Sequence, residues 1–150
     1  MSALAPRPRL SKALIVLAAA AVAIHLFGLY RPVGPPSPSW FPNADKVEHL
    51  VGFGVPVLLI LVARSWSGEA APSAKTRQVT LVVVGVFALH AVVSELIQHF
   101  FYISRTGDPS DVLADWSGVA LGGVAAWLVI RRRASLASGS EQTGGDRVRR

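Results

Sequence analysis

The residues that could do chemistry fall into three short groups. Asp45 and His49 are four residues apart, as are Asp111 and Asp115, and Glu95 precedes Gln98 and His99 by three and four. On a helix each spacing places its members on one face. Lys46 and Arg105 lie beside these groups. Carboxylates with an imidazole are hard-oxygen and borderline-nitrogen donors, suited to a divalent cation such as Mg²⁺, Mn²⁺ or Zn²⁺. A lysine and an arginine beside them suit a phosphate, the arginine through its planar fork. In an enzyme, Glu95 or Asp111 would be a base or metal ligand, His49 an acid/base or ligand, and Arg105 a phosphate clamp. In a binding protein, Asp45, Lys46, His49, Glu95, Gln98, Arg105, Asp111 and Asp115 would line a pocket for a polar headgroup. The bland alternative is a set of ion pairs, Arg105 with Asp108 or Asp111 and Lys46 with Asp45 or Asp115, that holds helices together. The donor spacing matches no established metal motif.

The surroundings of these groups are apolar. Of the 150 residues 51% are hydrophobic, and few charges interrupt the long apolar runs. A carboxylate at mid-bilayer costs roughly 2.5–3.5 kcal/mol on insertion scales, so acids retained in such segments are functional candidates. Four segments are long enough to cross ~30 Å of hydrocarbon: Leu14 to Tyr30, Asp45 to Trp66, Gln78 to Tyr102 and Ser110 to Ile130. The first could be a signal peptide, with Arg7, Arg9 and Lys12 as its basic leader. No cleavage site follows Ala23, however, and the run continues to Tyr30, which favours a retained helix. Prolines 32, 35, 36, 38 and 42 make the stretch after it an extended loop. Pro56 lies inside the second segment and is tolerated where a neighbour satisfies the carbonyl it frees. Gly118 and Gly122 give the fourth a spacing that permits close helix approach.

The expected fold is an all-α bundle of four transmembrane helices. Residues 1–12 form a basic leader, 13–131 the membrane domain and 132–150 a disordered basic tail. Basic residues collect in the leader, in the 64–77 connection and after Ile130, where six of the fifteen lie. The positive-inside rule then places both termini in the cytoplasm of a multi-pass plasma-membrane protein. With no aromatic residues interleaved among the basic ones, the net charge of +6 gives no nucleic-acid site. The absence of cysteine excludes disulfides and thiol catalysis. At 1.5 Å per residue, His49, Glu95 and Asp115 lie about 6, 10 and 7–8 Å below the outer ends of their helices. Three helices thus deliver ionisable groups to one layer on the outer side.

Asp45-Lys46-x-x-His49 resembles the first motif of the VanZ-like family of small bacterial membrane proteins. Ser94-Glu95-x-x-Gln98, Arg105 and Asp111-Val112-Leu113-Ala114-Asp115-x-x-Gly118 resemble its second, with Asp115 where the family commonly has Asn. The resemblance spans residues 45 to 123. It implies a multi-pass protein of the cell envelope, and the family's namesake is associated with low-level resistance to teicoplanin-type glycopeptides. The family brings no assigned reaction. The expected ligand is a membrane lipid or lipid-linked cell-wall precursor held at the outer face. The alternative is a metal-dependent hydrolase or transferase acting on a phosphate-bearing lipid or precursor.

Overall fold

The computed structural model describes residues 8–33, 41–67, 74–103 and 107–148, with the side chains of Pro8 and of 137–148 left aside. Arg105 and most of the proline-rich loop lie outside the described residues, as do much of the 64–77 connection and the first seven residues. Four helices make up the fold: α1 Pro8–Tyr30, α2 Ala44–Ser67, α3 Ala74–Phe101 and α4 Pro109–Val148. All four are long and apolar enough to cross a membrane. Ile24, Phe27, Leu81, Leu89 and Phe100 are each more than half exposed on the outside of the bundle. Hydrocarbon accepts such a surface, and this is a multi-pass membrane protein.

Three boundaries differ from the sequence expectation. α1 begins at Pro8, inside the basic leader, because proline suits the first helical turn, where its missing N–H is not needed. α3 begins at Ala74, with Lys75 and Arg77 in its first turn. α4 does not stop at Ile130. It continues to Val148, where a disordered tail from residue 132 was expected. Arg131, Arg132, Arg133, Ala134 and Leu136 are good helix formers, and they carry the helix past the end of its apolar run. Arg133 anchors the extension. Its guanidinium donates to the Ser65 carbonyl at 2.8 Å and lies 4.2 Å from the Trp66 ring centroid.

α2 and α4 run side by side and in the same direction. Lys46 meets Asp111 at one end, and Ser65 meets Arg133 at the other. Small residues set how closely they approach. A Cβ on Gly118 would fall against the Leu50 carbonyl oxygen, one on Gly122 against that of Gly54, and one on Gly54 within 2.9 Å of the Gly118 carbonyl oxygen. The small face read from the Gly118/Gly122 spacing is therefore the α2–α4 seam, with Gly54 as its counterpart. Phe53 and Val57, both fully buried, fill the adjacent core with Ala91, Val119 and Ala126.

α1 is tied in by its orphan backbone groups. The last carbonyls of a helix have no partner within it. Gln98 Nε2 donates to the Leu29 carbonyl at 3.3 Å, and the Tyr102 hydroxyl to the Tyr30 carbonyl at 2.6 Å. Farther along α1, the His25 ring packs on α2 beside Gly52, its Nδ1 3.5 Å from where a Cβ on that glycine would sit. Pro56 has no N–H to offer the Gly52 carbonyl four residues earlier, and the His25 imidazole is a polar side chain lying against that turn. Tyr102→Phe removes one of the ties and is expected to lower stability by about 1 kcal/mol, read as a lower melting temperature in detergent.

Candidate polar site at one end of the bundle

The site begins with the turn between α3 and α4. Gly107 is required there, because a Cβ would fall against the Glu95 carbonyl oxygen. That close approach brings the Asp108 backbone N–H to Glu95 Oε2 at 2.9 Å. Asp108 then caps α4: its Oδ1 accepts the Ser110 N–H at 2.8 Å, and its carbonyl accepts the Asp111 N–H at 2.8 Å. The Ser110 bonds, reinforced by Lys46, hold the Asp108 carboxyl down at about 2. The cap is ionised at neutral and mildly acid pH. Its contribution to stability is present above the ordinary carboxylate range and is lost as pH falls toward 2.

The first turn of α2 meets this cap. At its start Asn43 adopts a left-handed backbone, φ 60°, and its carbonyl accepts the Val47 N–H at 3.3 Å. Lys46 follows, and its Nζ donates to Asp45 Oδ2 at 3.1 Å, Asp108 Oδ2 at 3.0 Å and Asp111 Oδ1 at 2.5 Å. One turn on, His49 Nδ1 lies 2.9 Å from Asp115 Oδ1 and 3.9 Å from Glu95 Oε1, and its Nε2 lies 3.7 Å from Asp111 Oδ2. His49, Glu95, Asp111 and Asp115 are all buried, Asp115 completely. Glu95 Oε1 and Asp115 Oδ2 are buried without a hydrogen-bond partner.

Asp45, Lys46, His49, Glu95, Asp111 and Asp115, all expected at the site from the sequence, are brought together from three helices. Gln98 is buried but turned to α1, where its amide serves the Leu29 carbonyl. Arg105 lies outside the described residues. Asp108, read from the sequence only as an ion-pair partner, sits between Lys46, Glu95 and the start of α4. The helix-cap pattern Asp108-Pro109-Ser110 was the signal for it. Among the described residues, five carboxylates (45, 95, 108, 111 and 115) surround one lysine and one histidine. The cluster therefore attracts positive charge.

His49 also belongs to a second feature. A groove of about 490 Å³ runs between α1 and α2. Its walls include Ile24, Gly28, Val47, Val51 and Val55, and its polar members are His25, Glu48 and His49. Ile24, Val47, Val51 and Val55 are exposed, so the groove lies on the surface that faces hydrocarbon. A Cβ on Gly28 would meet nothing within 4 Å, and this open space gives the groove width near His49.

Below the carboxylates, His25 and His90 pack with their ring centroids 5.3 Å apart, beside Phe53 at 4.5 and 5.7 Å. Both rings act as core aromatics of the bundle. Comparison with protein-family models, with curated proteins and with solved structures returns no match.

Proposed function

We propose that this is a VanZ-like membrane protein of the bacterial cell envelope that binds a lipid-linked headgroup, with its site on the outer face of the plasma membrane and both termini in the cytoplasm. The observation that carries the reading is the double position of His49, which is at once a wall of an apolar groove and a member of a buried carboxylate cluster. An amphiphile fits that junction. Its chain lies between α1 and α2, and its headgroup reaches His49. The excess of carboxylate selects headgroups that donate hydrogen bonds, or phosphates that arrive with a cation. His49 of the first motif that resembles the VanZ-like family meets Glu95, Asp111 and Asp115 of the second at this junction, and the resemblance extends the reading to teicoplanin-type resistance.

Gly28→Leu provides the test, because the side chain enters open space rather than the core. Wild-type protein purified from membranes is expected to carry a lipid of defined mass in native mass spectrometry. The variant is expected to lose it at an unchanged melting temperature, together with any protection against teicoplanin that the wild type confers. Equal lipid on both proteins, or none on the wild type, would sink the reading.

A second reading, metal-dependent hydrolysis or transfer on the headgroup, draws on the His49–Asp115 pair at 2.9 Å, which orients the imidazole as an acid or base. Release of phosphate or headgroup by wild type and not by His49→Gln would separate catalysis from binding.

A further inference from the structure

We infer that His49, Glu95 and Asp111 form a binding site for one first-row divalent cation, of the Mn²⁺ or Zn²⁺ class. The site does not depend on a lipid occupying the groove. Each of the three residues spends one polar atom on being held and leaves a second for a ligand. Glu95 Oε2 accepts the Asp108 N–H at 2.9 Å, which leaves Oε1 buried and without a hydrogen-bond partner. Asp111 Oδ1 is taken by Lys46 at 2.5 Å, and its Oδ2 is turned toward His49 Nε2 at 3.7 Å. His49 Nδ1 lies 2.9 Å from Asp115 Oδ1. With Asp115 ionised its carboxylate only accepts, and Nδ1 then carries the proton while Nε2 keeps its lone pair.

One donor atom can be chosen from each of the three so that all lie within 4.8 Å of one another; Glu95 Oε1 approaches the ring from its Nδ1 side, at 3.9 Å, and a turn of that carboxylate brings it to the Nε2 side. An octahedral ion with bonds of ~2.1 Å holds its ligands about 3.0–4.2 Å apart, so side-chain rotation on helices already in place would close the three on an ion. One nitrogen and two carboxylate oxygens exclude a preference for soft metals, and the imidazole favours a first-row ion over calcium. Asp115 would act as a positioning residue. A histidine ligand commonly donates its other N–H to a carboxylate, which fixes the ring and raises its basicity. Glu95 is the independent witness. It is 5% exposed, yet one of its oxygens has no hydrogen-bond partner, an arrangement that costs free energy unless something positive meets it. Each donor comes from a different helix, so a bound ion would also join α2, α3 and α4.

The test uses the full chain, delipidated in detergent, stripped with chelator and titrated with MnCl₂, with free Mn²⁺ read by electron paramagnetic resonance. Wild type is expected to bind one equivalent and to melt at a higher temperature when loaded. Glu95→Gln and His49→Gln are expected to weaken binding by at least about 100-fold, and Asp115→Asn by roughly 10–100-fold, as removal of a carboxylate behind a ligand does. His99→Gln, an exposed imidazole on the same helix as Glu95, should leave binding unchanged. The thermal shift on Mn²⁺ should vanish in Glu95→Gln, which keeps the size of the side chain. The site is overturned if wild type takes up no stoichiometric Mn²⁺, or if Glu95→Gln binds as tightly as wild type. Metal uptake by the lipid-free protein would uphold the site even if the lipid reading failed.

Discussion

Gly118→Val separates α2 from α4 and lowers the stability of the bundle by about 3 kcal/mol. The seam is made of backbone in contact with backbone. A Cβ at 118 would fall onto the Leu50 carbonyl oxygen and within 3.1 Å of the Gly54 nitrogen. Those are not flexible side chains that can turn aside, so one helix must move. Overpacking in a core costs about 1–3 kcal/mol and occasionally more. Here the helices must also part along their length, and the top of that range is the expected loss. Replacing glycine in a helix gains roughly 1 kcal/mol of propensity, which is too little to offset it. Gly85→Ala serves as the opposite case. A Cβ there meets nothing within 4 Å, so the propensity gain stands alone and stability should hold or rise. Thermal melts in detergent, followed by circular dichroism, compare the two. An unchanged midpoint for Gly118→Val would refute the seam.

Lys46→Met has the second large effect. Lys46 meets Asp45, Asp108 and Asp111 within 3.1 Å, and no other described lysine or arginine pairs with these acids. Methionine keeps the length and the apolar stem but leaves three carboxylates facing one another. Removing one partner of a fully buried pair costs about 3–5 kcal/mol. The Lys46 side chain is 26% exposed, so water screens part of that, and roughly 2–3 kcal/mol is the expected loss. Adding Asp111→Asn should restore a good part of it, because the most buried of the three charges goes too. The coupling is read from the melts of the two single variants and the double variant. Simple additivity of the two changes would show that Lys46 does not neutralise Asp111.

The sequence was most informative where periodicity carried the argument. Four apolar runs give four helices, and the four-residue spacings of Asp45 with His49 and of Asp111 with Asp115 put each pair on the face where the structure has it. Atom-level roles were not visible. Gln98 lies three residues from Glu95, a rotation of about 60° away on the helix, and that is enough to turn it from the carboxylates to the end of α1. There it and Tyr102, four residues on, serve the adjacent carbonyls of Leu29 and Tyr30. Asp108 is legible from its neighbours as a helix cap, but its meeting with Lys46, 62 positions earlier, is not. No local pattern encodes that pairing. The end of α4 was misplaced because the apolar run was taken as the helix, whereas arginine and alanine continue a helix without being apolar.

The place of His25 beside Gly52 bears on how the chain enters its membrane. An unsatisfied carbonyl in hydrocarbon costs several kcal/mol, and α2 carries one wherever Pro56 breaks its own ladder. α1 is synthesised before α2, so a polar side chain is already in place beside that turn when α2 arrives. The hairpin of α1 and α2 is then the natural unit of insertion, and the order of the helices along the chain does part of the work of folding.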